Sequence, residues 1–292
     1  MSFLGSQSLS LRKAAPLSDK EFNDLRDLIY KVAGIDIPKQ RRYLLENRLR
    51  GRLNELNLKN FSEYYQYLRH GADKRNELEY FCEKMTTNET SFFRDPKQLG
   101  VFRVYVLIPL LEQLKTMGRK RLHIWSAGCS SGEEAYTLGI MLHEILKASL
   151  VSWNIRITAN DISSTMLDKA RQGLYNEYSL RNTPKEVVDN YFSKEPGGYR
   201  INPKIQELIK FEKINLNDSA AIRRIPRSEI VFCRNVIIYF DEAMKKKVIN
   251  SFYDNLIPKG FLVMGHSESL HSVTRVFNPI RKPGGIVYQK AE

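Results

Sequence analysis

The sequence predicts an α/β domain with a mostly parallel sheet, placed behind an all-helical N-terminal region. Three observations predict it. Apolar residues recur at helical spacing between Phe22 and Phe81; from Arg121 the pattern changes to strand, glycine loop, helix; short apolar strands then alternate with helices towards the C terminus. With 292 residues, 42% of them hydrophobic, the chain can bury one large core and a smaller one.

Residues 1–18 are Ser-rich and aperiodic and read as a flexible arm. Ser18 ends it as a helix cap, with Glu21 at the third position of a capping box. Residues 19–85 read as helical: Phe22, Leu25, Leu28, Ile29 and Val32 form one stripe, Gly34 to Pro38 interrupts, and Leu45, Leu49, Leu53 and Leu56 resume it. Phe61, Tyr64, Tyr65 and Leu68 mark another short helix, as do Leu78 and Phe81. Residues 86–100 read as a linker, and 101–292 as the α/β domain.

In that domain Leu122 to Trp125 is the first strand, Ala127 to Gly132 its loop and Tyr136 to Leu146 the following helix. Ile155 to Thr158 is a second strand, running into Asn160, Asp161 and a helix from Ser163 to Arg171. Ile230 to Cys233 and Phe261 to Gly265 are further strands flanking a helix at Lys245 to Leu256, and residues 275–290 read as two strands with a turn at Pro283 to Gly285. Between about 173 and 214 the alternation lapses around a hairpin-like piece, Glu195 to Ile201, and this stretch reads as an insertion.

Composition excludes several classes. The longest apolar run, Val104 to Leu111, is too short to span a bilayer, and Met1 to Lys20 has no signal-peptide core, so a cytoplasmic protein without membrane insertion is expected. Cys82, Cys129 and Cys233 are widely spaced and lack nearby His partners, which argues against disulfides and a metal site. His70, His123, His143 and His271 form no recognisable ligand set. A formal charge of +13 favours an anionic partner. No nucleic-acid signature is present, so an acidic protein surface is preferred.

The loop Ala127-Gly128-Cys129-Ser130-Ser131-Gly132 lets backbone amides face a polar ligand at the carboxyl edge of the sheet. It matches neither the dinucleotide fingerprint nor the lysine-bearing phosphate loop. It does spell G-x-S-x-G, which admits a rival reading as a serine esterase with Ser130 as nucleophile and His266 or His271 as base. Asp161, at the end of the second strand, suits the hydroxyls of a ribose; it suits equally the cap of the helix that follows.

Four separated segments carry a resemblance. Met85-Thr86-Thr87-Asn88-Glu89-Thr90-Ser91-Phe92-Phe93-Arg94, Trp125 to Tyr136, Phe232-Cys233-Arg234-Asn235-Val236-Ile237-Ile238-Tyr239-Phe240 and Gly265-His266-Ser267-Glu268 resemble the CheR family of chemotaxis receptor methyltransferases, in order, over about residues 19–290. The resemblance implies a class I S-adenosylmethionine-dependent methyltransferase sheet of seven strands with helices on both faces, an N-terminal helical domain and a small antiparallel β-subdomain in the insertion. It implies methylation of glutamate side chains on chemoreceptors, with S-adenosylhomocysteine as the other product. Asn88, Thr90 and Arg94 would reach the methionine end of the cofactor, Gly128 and Glu134 lie under it, and Asp161 hold the ribose. Asn215 and Leu216 would flank the adenine, Arg234 and Asn235 line the pocket, and Tyr239 stand near the transferred methyl.

A glutamate carboxylate, with a reference pKa of about 4.3, needs no general base near neutral pH. Positioning then dominates, and Arg94 and Tyr239 are the expected catalytic residues because they can orient a carboxylate. Where many amino-methylating nucleic-acid enzymes carry Asp/Asn-Pro-Pro-Tyr, this chain has Arg234-Asn235-Val236-Ile237, which favours oxygen over nitrogen; a nucleic-acid methyltransferase is the rival within the class. Arg41, Arg48 and Arg52 fall within about 40° on a helical projection, a face suited to the acidic helical region of a receptor. The resemblance implies that in some relatives the inserted subdomain grips a receptor's C-terminal peptide; the hairpin Ser193 to Tyr199 is short for that, so a tether-independent enzyme is expected, and separately a monomer.

Overall fold

The computed structural model describes residues 16–292, so the expected arm lies almost wholly outside the described residues. The chain divides into two compact units, the first ending at Thr86 and the second running from Thr87 to Glu292.

The first unit is helical: α1 (Asp19–Ala33), α2 (Arg42–Glu55), α3 (Phe61–His70) and α4 (Lys74–Met85). Ser18 caps α1 as its sequence demands, accepting from the Glu21 amide while the Glu21 carboxylate takes the Ser18 amide at 2.8 Å. The apolar stripes are buried: Phe22, Leu25 and Ile29 from α1, Leu45, Leu49 and Leu53 from α2, and Phe61, Tyr64, Leu68 and Phe81 from α3 and α4. Inside this unit lies a polar knot. Glu77, 2% exposed, accepts Arg52 through Nε and Nη2 at 3.0 and 2.6 Å and the Tyr64 hydroxyl at 2.8 Å.

The second unit opens with α5 (Pro96–Phe102), continues through a wide turn at Arg103–Leu107 and into α6 (Ile108–Thr116). The apolar run from Val104 lies here and packs Val106, Leu107 and Leu111 into the core. There follow β1 (Arg121–Ala127), α7 (Glu133–Leu146), β2 (Asn154–Asp161), α8 (Ser164–Gln172), β3 (Leu174–Tyr175), α9 (Lys185–Tyr191), β4 (Phe192–Glu195) and β5 (Gly198–Ile201). Then come α10 (Pro203–Gln206), β6 (Ile209–Lys213), α11 (Ser219–Ile222), β7 (Ser228–Cys233), α12 (Glu242–Asn255), β8 (Leu256–Met264), β9 (Phe277–Lys282) and β10 (Gly285–Lys290).

Among the described residues the main sheet has seven strands in the order β6-β2-β1-β7-β8-β10-β9; β3, β5 and β4 form a separate antiparallel sheet. Strands β6, β2, β1, β7 and β8 run parallel, while β10 is antiparallel to β8 and β9. Successive residues of β1 serve opposite faces: Leu122 and Ile124 join one core with Phe102, Leu138 and Phe232, and Trp125 and Ala127 join the other with Val248, Phe252 and Leu262. One boundary differs from expectation. The insertion expected to reach about residue 214 takes in β6, which is an edge strand of the main sheet. Its sequence, Ile-Lys-Phe-Glu-Lys, alternates because only one side of this edge is covered, so it lacks the continuous apolar run of the inner strands.

Among the described residues no helix is long and apolar enough to cross a membrane, and no group of His, Cys, Asp or Glu is arranged to hold a metal.

Candidate active site

Because five strands are parallel, the loops after β1, β2, β6, β7 and β8 emerge at one carboxyl edge. The glycine loop is folded there by the backbone of β2: the amides of Gly128 and Cys129 both donate to the Asn160 carbonyl, at 2.8 and 2.9 Å. The Asn160 side chain ties the neighbouring strands, accepting Trp125 Nε1 at 2.6 Å and donating to the Ile214 carbonyl at 2.9 Å. Gly128 has φ +76°, and a Cβ there would lie 2.5 Å from a Val236 methyl, so two loops meet at a position only glycine fits.

Asp161 is not the cap of α8; Ser163 is, accepting from the Met166 amide. The Asp161 carboxylate instead spans two loops, taking the Ser130 amide at 2.8 Å on one oxygen and the Ser163 amide at 2.9 Å on the other. Asn215 and Leu216 follow directly on β6, held beside it by the Ile214 amide on the Asp161 carbonyl at 3.1 Å. Leu216 is buried and Asn215 half-buried.

Glu134 sits in the first turn of α7, where the helix N-terminus favours negative charge. Ser126 Oγ donates to it at 2.8 Å, and Arg234 Nη1 stands at 3.5 Å, too far for a close ion pair. Burial pushes its carboxyl pKa up, and Arg234 and Ser126 pull against that. Burial likewise raises neighbouring Glu133, which accepts Ser131 Oγ at 2.8 Å and Ser179 Oγ at 3.1 Å. Arg234 is itself enclosed, its Nε on Gln98 Oε1 at 2.9 Å and its Nη2 on the Arg94 carbonyl at 2.7 Å.

The stretch 88–95 is stitched to this edge. Ser130 Oγ donates to the Asn88 carbonyl at 3.3 Å, and the Phe92 amide to the Ser179 carbonyl at 2.9 Å. The Phe92 ring is boxed edge-on by Tyr175 and Phe192. Glu89 takes Arg181 Nη2 at 2.6 Å and the Tyr178 hydroxyl at 3.1 Å, while Arg94 Nη1 donates to the Glu89 carbonyl at 2.6 Å. Arg181 also donates to the Thr90 carbonyl, at 3.4 Å. Asn235 lies at φ +60°, and Tyr239 closes the short helical turn Ile237–Tyr239 that follows β7.

The second unit thus brings Asn88, Thr90, Arg94, Gly128, Asn215, Leu216, Arg234, Asn235 and Tyr239, from the segments outside its long helices, together with Asp161 at the end of β2 and Glu134 in the first turn of α7, to one sheet edge. The Ser130 hydroxyl donates to a backbone carbonyl rather than to a candidate base, which counts against the esterase reading. Among the described residues His266 Nδ1 lies 3.2 Å from Asp95, and His271 is exposed. The Arg41, Arg48 and Arg52 set lies in the first unit and is less open than a helical projection implies. Arg41 is exposed, Arg48 Nη1 donates to the Met85 and Thr86 carbonyls at 2.9 and 3.4 Å, and Arg52 is bound to Glu77 and stacks over Tyr80. Arg52 and Glu77 are far apart in sequence, so no projection of one helix shows the pair.

Asn160, Gln98 and Glu268 were missed as organising residues. Only Glu268 carried a signal, as part of the Gly265-His266-Ser267-Glu268 segment. At this edge Asp161 presents a carboxylate at the end of β2, and the Glu134 carboxylate lies 3.5 Å from Arg234 Nη1.

Comparison with known proteins agrees. Residues 20–86 match the family model described as "CheR methyltransferase, all-alpha domain", and residues 88–286 match "CheR methyltransferase, SAM binding domain". Chemotaxis protein methyltransferase 2 of Vibrio cholerae is 34% identical over 90% of this chain and 90% of its own length. The chemotaxis protein methyltransferase of Borreliella burgdorferi is 33% identical over 87% and 89%, and that of Escherichia coli 31% over 92% and 91%. The chain belongs to the CheR methyltransferase family and is an S-adenosylmethionine-dependent methyltransferase.

Proposed function

We propose that this enzyme methylates glutamate side chains in the cytoplasmic helical region of chemoreceptors, acting in the cytoplasm as a monomer and giving methyl esters and S-adenosylhomocysteine. The observation that carries the reading is the match, over about nine-tenths of both chains, to relatives named chemotaxis protein methyltransferase. The site chemistry supports an acceptor that arrives already ionised. Three of its acids already accept hydrogen bonds: Asp161 from loop amides, Glu133 from Ser131 and Ser179, Glu134 from Ser126. A carboxylate acceptor, with a reference pKa of about 4.3, makes no demand on them for a base.

S-adenosylmethionine supplies an electrophilic methyl. The chain's residues bind and align. Gly128 and Glu134 form the floor under the cofactor, Asp161 holds the ribose, and Asn215 and Leu216 flank the adenine. Asn88, Thr90, Arg234 and Asn235 close the walls. Arg94, steadied by the Glu89 carbonyl, and Tyr239 orient the acceptor carboxylate rather than activate it, since over-tight pairing would blunt the nucleophile. In the first unit α2 and the turn before it meet the acidic receptor helix, with exposed Arg41 just ahead of α2 and Arg48 and Arg52 anchored on it. The short β4–β5 hairpin argues for action without a C-terminal peptide tether.

The test is incubation of the enzyme and labelled cofactor with a receptor cytoplasmic fragment, followed by mild alkali. Base-labile methanol is expected. Label that survives alkali would mean nitrogen methylation, and calorimetry showing no binding of S-adenosylhomocysteine would overturn the cofactor assignments.

A further inference from the structure

We propose that Glu268 is a positioning residue for methyl transfer, fixing the loop that carries Asn235 and Tyr239. The carboxylate is 6% exposed and lies where the ends of β7 and β8 meet. One oxygen accepts the amides of Asn235 and Gly265, both at 2.8 Å, and the other accepts those of Val236 at 3.0 Å and Ile238 at 3.3 Å. A single side chain therefore collects four backbone donors, three from a segment about thirty residues away in sequence.

These amides have few alternatives. Asn235 is left-handed, which turns the chain abruptly after Arg234 and prevents the next amides from continuing the β-ladder. The carboxylate gathers them into a concave cup, as an anion is held by successive N–H groups. The cup sets two things at once. It presses Val236 against Gly128, closing the wall on the glycine loop, and it starts the turn Ile237–Tyr239 that presents the phenol. The approach is tight enough that a Cβ on Gly265 would lie 2.7 Å from the carboxylate.

The inference rests on the reading that Asn235 and Tyr239 line the methyl-transfer site. Glu268→Gln keeps the shape but has one acceptor oxygen, so its NH2 group must face one pair of amides. Gly265→Ala leaves the carboxylate chemically whole and displaces it, which supplies a second variant should the first fail to fold. For each, kcat with a receptor fragment, the Kd of S-adenosylhomocysteine by calorimetry and amide hydrogen exchange over residues 235–238 are measured. Expected is a kcat about 10- to 100-fold lower, in line with misplacement by a fraction of an ångström, with Kd changed less than about fivefold and exchange of the four-residue segment about tenfold faster. Unchanged kcat per folded enzyme, or unchanged local exchange, in a folded variant overturns the proposal even if melting temperature falls. If the wild-type enzyme forms no base-labile ester, the acceptor reading fails instead, and local exchange still decides the role of Glu268.

Discussion

Replacing Gly128 by Ala tests the junction of two loops beneath the proposed cofactor site. Two costs add. An L-residue held at φ +76° pays about 1–2 kcal/mol for its left-handed backbone. The new methyl, 2.5 Å from Val236 Cγ2, adds overpacking of about 1–3 kcal/mol, towards the lower end because a half-buried valine can give way. The expected total is about 2–4 kcal/mol. Val236→Ala alone removes two partly covered carbons and costs about 1 kcal/mol. In the double variant the steric part vanishes and the backbone part stays, so a favourable coupling of about 1–2 kcal/mol is expected. Both tryptophans, Trp125 and Trp153, lie in the second unit, so urea unfolding followed by tryptophan fluorescence reports on that unit. Costs that simply add, within about 0.5 kcal/mol, would refute the proposed contact.

Arg52→Ala strands the Glu77 carboxylate and should destabilise the helical unit by roughly 2–3 kcal/mol, below the fully buried range because a quarter of the Arg52 side chain reaches solvent and Tyr64 remains a partner. Far-UV circular dichroism should lose helix early while the tryptophan transition holds. Arg94→Ala should lower kcat about a hundredfold with cofactor saturating, and unchanged turnover would remove it from the site. Glu133→Gln tests linkage. Burial raises the folded-state carboxyl above its unfolded value, so its favourable contribution is complete below about pH 4.5 and is lost as pH rises through the folded value. The melting temperature of the variant relative to wild type should therefore climb as pH rises above about 4.5, and a flat difference would show that burial does not raise the Glu133 carboxyl.

The inner sheet was legible because strands covered on both faces become apolar runs, as at Leu122 to Trp125 and Ile230 to Cys233, and because the glycine loop must interrupt them. The capping box at Ser18 was legible because both partners lie within one helical turn. Strand β6 was not, since an edge strand carrying two lysines and a glutamate reads as loop. Nor was the commitment of Arg52, whose partner sits on another helix, or the role of Glu268, whose partners are backbone amides that look alike at every position. Candidate side chains at loop ends came from the resemblance; the polar groups that hold those loops could not be read, because their partners exist only once the sheet has formed.

That distinction bears on how the site selects its cofactor. Asp161, Glu133, Glu134 and Glu268 place four acidic side chains around the glycine loop and its neighbours in a chain whose formal charge is +13. Asp161 and Glu268 are held by backbone amides, Glu133 and Glu134 chiefly by hydroxyls. The amides around Asp161 and Glu268 spread their negative charge without cancelling it as a close ion pair would, whereas burial works against ionising Glu133 and Glu134, and Arg234 stays 3.5 Å from Glu134. The local field therefore favours a cationic ligand in the cleft, whereas the long-range field of the basic surface favours an anionic partner outside it. The positive sulfonium of the cofactor meets the first requirement, and the glutamate-bearing acceptor proposed above would meet the second, each drawn by a different part of the same charge distribution.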